Sequence, residues 1–165
     1  DHRDLHKEYR RQRQMCIRDS SFDILLAIPP HIAPKVIYDC NLAQEPGFIP
    51  IDRDCKTPFK NIFAVGDVTS LKVTDSIAVP KAGIFAEGEG ITVAKNIISK
   101  LESKETSVLF DGKGGCFLES GRDTASVLEV DMFTNEKPST KLTESTKDNL
   151  SKKLDFEKER LSKWL

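Results

Sequence analysis

Two places in this 165-residue sequence hold residue types that chemistry needs. The first is the string Thr57-Pro58-Phe59-Lys60-Asn61-Ile62-Phe63-Ala64-Val65-Gly66-Asp67. Its run Asn61 to Val65 reads as a short buried strand that delivers a carboxylate at its C-terminal end, where open α/β sheets place their ligands. Gly66 lets the backbone come close to a bound group, and Asp67 can accept hydrogen bonds from a sugar-like hydroxyl. A turn closed by a capping acid accounts for the Gly-Asp pair equally well. The second place is Cys116, in the stretch Gly114-Gly115-Cys116-Phe117-Leu118-Glu119. A thiol in such a strand is either a redox group or a small buried hydrophobe. Cys40 and Cys55 lie in irregular segments and are read as structural. No two cysteines have the spacing of a zinc site or a disulfide framework.

The elements that must position these groups are legible from pattern. Phe22 to Ile28 is a continuous apolar run stopped by Pro29-Pro30, which suggests a buried strand. His31 to Lys56 is irregular, punctuated by Pro34, Pro46-Gly47 and Pro50. After Val79-Pro80, the spacing of Ile84, Ile91, Ala94, Ile98 and Leu101 predicts a helix over about Lys81 to Leu101, with those residues on its buried face. Gly83, Gly88 and Gly90 inside it each cost roughly 1 kcal/mol against alanine, so close approach of a backbone or ligand is expected. Gly115 to Glu119 and Ala125 to Val130 form an expected hairpin around Ser120 to Asp123. Asn135 to Thr146 reads as a linker, and Lys147 to Leu165 as a closing helix with Leu150, Leu154, Leu161 and Leu165 on one side.

The string Thr57 to Asp67 resembles the second FAD-binding motif of the pyridine nucleotide–disulfide oxidoreductase superfamily. Two neighbouring segments narrow this. Ile28-Pro29-Pro30 is similar to a segment of sulfide:quinone oxidoreductases and flavocytochrome c sulfide dehydrogenases, and Val79-Pro80-Lys81-Ala82-Gly83 to one of the quinone-reducing group. The resemblance runs from about Phe22 to Leu101 and fades beyond. It implies the C-terminal part of an α/β, Rossmann-like flavoprotein with two dinucleotide-binding domains. Gly66, Asp67 and Val68 would then hold FAD, with Asp67 on its ribityl chain. Lys81, Ala82 and Gly83 would lie at the helix N-terminus that faces the flavin ring, where the helix dipole favours negative charge. In that family a cysteine in the C-terminal third pairs with an earlier one beside the flavin. Cys116 is in the matching position, its partner being expected upstream of this sequence. Sulfide as donor and quinone as acceptor follow from the same resemblance. The rival readings are an NAD(P)H-linked FAD oxidoreductase and a non-catalytic relative of the same fold.

Composition sets outer limits. Hydrophobic content of 38% and charged content of 31% suit a globular domain, and no apolar run approaches the length of a membrane span. A formal charge of −1 carries no nucleic-acid footprint. The closing helix, with Leu150, Leu154, Leu161, Trp164 and interspersed lysines, would suit either its own domain or a membrane surface. The expected location is therefore cytoplasmic or peripheral to a membrane. Gln14-Met15-Cys16-Ile17-Arg18-Asp19-Ser20 resembles a translated sequencing adapter, and residues 1–20 are expected to be a non-native leader, a native basic leader being the alternative. The expected organisation is thus a leader over 1–20, the C-terminal half of a FAD region over 21–102, and a hairpin-and-helix region over 107–165.

Overall fold

A computed structural model describes residues 23–28, 30–43, 47–104 and 107–165. Residues 1–20, expected to be a leader, lie outside them. Residues up to His31 belong to one unit and Ile32 to Leu165 form a second. In the first, the expected strand at Phe22 to Ile28 is not found. Residues 24–28 make no strand pairing among the described residues, and Ile24, Leu25, Leu26 and Ile28 are all exposed. An apolar run becomes a buried strand only where a neighbour supplies both ladder hydrogen bonds and a face to pack on.

The second unit is mixed α/β with small sheets. In chain order it holds α1 (Lys35–Asp39), β1 (Ile49–Ile51), a 3-10 turn (Gly66–Val68), β2 (Thr69–Leu71), α2 (Gly83–Leu101), β3 (Lys113–Gly121), β4 (Thr124–Asp131), β5 (Ser139–Leu142) and α3 (Lys147–Trp164). Strands β1 and β2 pair in parallel, Ile49 opposite Thr69 and Ile51 opposite Leu71. Strands β3, β4 and β5 form an antiparallel sheet in that order. A core of Ile49, Ile51, Cys55, Leu71, Val79, Phe85, Phe110 and Met132 joins the parallel pair to α2 and to the segments on either side of the β3–β4 hairpin.

The stretch Asn61 to Val65 is a second correction. It is no sheet strand but the returning arm of a tight loop. Thr57 donates its N–H to the Ile62 carbonyl at 3.0 Å, and its hydroxyl reaches the same oxygen at 3.0 Å. Phe63 bridges Lys56, and the Ala64 N–H meets the Cys55 carbonyl at 3.2 Å. Asn61 takes a left-handed φ of 65° at the tip, a conformation asparagine tolerates better than most residues. These local bonds satisfy the backbone that a sheet would otherwise have to satisfy.

Helix α2 forms where the periodicity places it, but turned over. Ile91, Ile98 and Leu101 are exposed, whereas Phe85, Glu89, Thr92 and Asn96 are buried. The polar members of that buried stripe all have partners. Glu89 accepts from the Gly66 N–H at 2.6 Å, and the Thr92 hydroxyl donates to the Gly88 carbonyl at 2.9 Å. Asn96 donates to the Val108 and Asp54 carbonyls and accepts from the Val108 N–H at 2.7 Å. Of the three helix glycines only Gly88 answers the expectation of close approach: a Cβ there would lie 2.7 Å from the Phe110 ring.

Downstream, the hairpin closes through Arg122 and Asp123, both left-handed (φ 54° and 56°), as a two-residue turn matching strand twist requires. The expected linker contains β5, paired along β4 from Asp131–Ser139 to Leu128–Leu142. Polar Ser139, Thr140 and Lys141 pair well enough on an edge strand with both sides wet, so the sequence lacks the apolar alternation that announces a strand. Helix α3 begins at Thr146, whose hydroxyl accepts from the Asn149 N–H at 3.1 Å. It packs on the sheet through Phe156 against Phe117, ring centroids 6.0 Å apart.

Candidate functional site

Gly66 stands at the hinge between the Thr57 loop and β2, with φ of +79°. Its N–H is held by the Glu89 carboxylate, and its carbonyl accepts from the Thr69 hydroxyl at 2.8 Å. The turn that follows is thereby fixed at both ends. Asp67 projects from it as an exposed residue whose carboxylate accepts no hydrogen bond among the described residues. Val68 packs against the core instead of facing outward. Glu89 escaped notice because an acid in a helix usually faces water. The signal was its place in the stripe Phe85, Glu89, Thr92, Asn96, spaced by four, three and four. Burial pushes its carboxyl up from the ordinary glutamate range, with the Asp67 charge adding to that. The Gly66 N–H and the Lys81 charge oppose the shift.

Lys81 is engaged inside the protein. Its ammonium donates to the Thr69 carbonyl and lies 4.1 Å from the centre of the Phe48 ring. Burial lowers its pKa, against the pull of the Asp67 and Glu89 charges. Next comes Ala82, extended at φ −154°, with no side chain capping the first turn of α2. Among the described residues, the N–H groups of Gly83 and Ile84 at the helix start meet no side-chain cap. Gly66, Asp67, Lys81 and Ala82 border one narrow crevice between the turn and this helix start.

Ala82 also borders a second, larger space. A cavity of about 900 Å³ lies between the first turn of α2, strand β3 and helix α3. Ala82 and Gly83 line it from one side, Cys116 from β3, and Phe156, Arg160 and Trp164 from α3. That volume is of the size small-molecule sites use, roughly 300–1,000 Å³. Gly83 leaves the floor open, since a Cβ there would meet nothing within 4 Å. Cys116 is exposed. Cys55 is fully buried, and burial together with the Glu89 and Asp54 charges pushes its thiol up to about 12. Cys40 is exposed, its thiol donating to the Ile37 carbonyl at 3.3 Å.

One clamp at the cavity rim was invisible in the sequence. Glu87 of α2 accepts from Arg160, and from Lys163 at 3.0 Å, tying the end of α3 to the start of α2. Those cations hold the Glu87 carboxyl below its ordinary range. The pairing spans more than seventy residues of sequence, which no local pattern encodes. Chemically, the whole arrangement offers an acceptor for hydroxyls, an uncapped helix start suited to negative charge, and a thiol beside it.

No protein-family model matches the chain. It is similar to a mitochondrial sulfide:quinone oxidoreductase of Schizosaccharomyces pombe, 28% identical over 102 residues. The match covers 61% of this chain and 21% of that protein, so the chain spans about a fifth of the relative's length. It supports a distant relationship to the sulfide:quinone oxidoreductases, and through it an oxidoreductase-like character. Among the described residues no helix is long and apolar enough to cross a membrane.

Proposed function

We propose that this chain is part of a FAD-dependent oxidoreductase of the sulfide:quinone oxidoreductase type. The observation that carries the reading is that Cys116 shares one cavity with the uncapped start of α2, whose Ala82 also borders the Asp67 crevice. The residues present fit a flavin: Asp67 would take ribityl hydroxyls, and the open N–H groups after Ala82 would face the electron-rich edge of the ring. A bound flavin would supply the capacity to accept two electrons and pass them on. On this reading residues 21–102 contribute the C-terminal half of a Rossmann-like FAD region, and 107–165 the wall that carries Cys116. Lys81, bonded to Thr69, would position the loop before α2. Val68 would anchor the turn from behind.

Cys116 would hold sulfur during sulfide oxidation together with a second cysteine beyond this chain. Quinone would be the acceptor. Leu161, Trp164 and Leu165 at the end of α3 are exposed, at 50%, 65% and 100%, and would rest on the membrane surface in which quinone dissolves.

The test uses the longer parent protein carrying this segment. Cys116→Ser should keep FAD but lose bleaching of the flavin by sulfide. Asp67→Ala should release flavin, with binding weakened about ten- to a hundredfold, as loss of a hydrogen bond to a charged group worth roughly 1.5–3 kcal/mol requires. Normal sulfide turnover by Cys116→Ser would reject the thiol, and normal flavin content of Asp67→Ala would reject the cofactor assignment.

A further inference from the structure

Glu89 is the acid on the inner face of α2. It is 2% exposed, yet it borders the crevice shared by Gly66, Asp67, Lys81 and Ala82. A chain of hydrogen bonds ends on it. The Lys81 ammonium donates to the Thr69 carbonyl, the Thr69 hydroxyl to the Gly66 carbonyl at 2.8 Å, and the Gly66 N–H to Glu89 Oε2 at 2.6 Å. The turn that carries Asp67 is thus tied to α2 through Glu89 and to the loop before α2 through Lys81. Gly66 holds a φ of +79°, and a glycine reaches other conformations at little cost. The direction in which Asp67 leaves the turn therefore depends on these bonds.

Holding the turn does not by itself need an acid. A glutamine amide would accept from the Gly66 N–H as well, and would avoid the cost of burying a carboxylate. What the acid adds is a proton that it can gain or lose at the crevice. Among the described residues, the charges that act on Glu89 are Asp67 from the turn and Lys81 from the loop before α2. Cys55, on the core side, feels the Glu89 charge and stays a neutral thiol. Asp67 already disfavours the Glu89 carboxylate, and further negative charge at the crevice would disfavour it more.

We propose that Glu89 is a positioning residue for the Asp67 crevice that couples ligand binding to proton uptake: it holds the Gly66 turn so that Asp67 meets the ligand's hydroxyls, and it takes a proton from solvent as negative charge settles at the start of α2. The role rests on the reading of that ligand as FAD. Its sign is fixed by linkage. The bound state holds more protons than the free state, so affinity rises as pH falls.

Calorimetric titration of the flavin-free longer parent protein with FAD tests the role, in buffers of different ionisation enthalpy at about pH 5.5 and about pH 8, on either side of a raised glutamate pKa. The unsubstituted protein should take up protons and bind more weakly at the higher pH. Glu89→Gln should keep the affinity seen at the lower pH, with no pH dependence and less proton uptake. Glu89→Ala should bind about tenfold more weakly at both pH values, as loss of one turn-holding hydrogen bond implies. Without any flavin, amide exchange at Gly66 in the 165-residue chain should stay slow in Glu89→Gln and become fast in Glu89→Ala. Undiminished proton uptake by Glu89→Gln overturns the role, as does normal FAD affinity of Glu89→Ala. If Asp67→Ala still loses FAD in that case, the flavin reading stands and only the Glu89 role falls. Absence of FAD binding to the unsubstituted parent overturns both, and so does normal FAD affinity of Asp67→Ala. Should Glu89→Ala fail to fold, the proton uptake of Glu89→Gln decides alone.

Discussion

Along α2 the face that meets the protein carries Phe85, Glu89, Thr92 and Asn96, and the face that meets solvent carries Ile91, Ile98 and Leu101. Hydrophobicity alone would have placed them the other way round. The difference shows what decided the rotation: every polar group on the inner face has a named partner, so burying it leaves nothing unsatisfied. The inner face also does the positioning. Glu89 holds the Gly66 turn, Asn96 holds the segment that leads into β3, and Phe85 packs edge-to-face on Phe110 with ring centroids 6.3 Å apart.

The comparison breaks first where the inner face is densest. Phe110 is 2% exposed and touches Phe85, Phe133 and the space opened by Gly88. Phe110→Ala should cost about 3–5 kcal/mol in urea unfolding, the range of large-to-small changes at buried aromatics. A loss below about 1 kcal/mol would mean that α2 does not pack through this ring.

Asn96→Ala comes next. It strands the Val108 N–H and carbonyl, both bonded to the asparagine side chain. Leaving buried backbone groups unpaired costs about 1–3 kcal/mol. Faster amide exchange at Val108 should accompany the loss, and unchanged protection there would contradict the bonding.

Glu87 and Glu89 sharpen the comparison through pH. Glu89 faces inward and burial raises its folded pKa, so its contribution is full below the ordinary glutamate value of about 4.3 and is lost as pH rises through the folded value. Glu87 faces Arg160 and Lys163, which depress its folded pKa. Its contribution is present above the ordinary value and is lost as pH falls through the depressed one. Glu89→Gln keeps an acceptor for the Gly66 N–H and removes the titration. It should therefore gain on the unsubstituted protein as pH rises from about 4 to 8. Glu87→Gln should do the reverse and lose ground as pH rises from about 2 to 6, so profiles that change in the same sense for the two variants would refute the opposed environments.

These elements also show which parts of the molecule local pattern reveals. The start of α3 at Thr146 and the Arg122-Asp123 turn are encoded by neighbouring residues, and they fall where capping and turn chemistry put them. The rotation of α2 is not local, because it depends on Gly66, Asp54 and Val108 from three other segments. The strand expected at Asn61 to Val65 failed for a related reason: Thr57, a residue read as part of a motif, closes that loop with its own hydroxyl. Of the candidate site, Gly66 and Asp67 belong to one continuous string, and Lys81 and Ala82 to a second segment a dozen residues on. That Cys116 shares a cavity with Gly83 depends on sheet register, and the bonds that occupy Lys81 depend on Thr69 and Phe48.

The smallest effect belongs to the outer face. Ile98 is 54% exposed and Ile91 47%, so water already reaches about half of each side chain. Ile98→Gln removes little buried apolar surface, and glutamine is the better helix former because it lacks a branched Cβ that restricts χ1 against the preceding turn. The two terms oppose each other, and surface substitutions of this kind stay within about 0.5 kcal/mol. Urea unfolding should therefore show midpoints for Ile98→Gln and Ile91→Gln indistinguishable from the unsubstituted chain at low protein concentration. The slope should also be unchanged, because the surface exposed on unfolding is nearly the same. A loss above about 1 kcal/mol would mean that this face is covered in solution. Repeating the measurement at tenfold higher concentration separates the ways of covering it, since only self-association makes the loss grow with concentration.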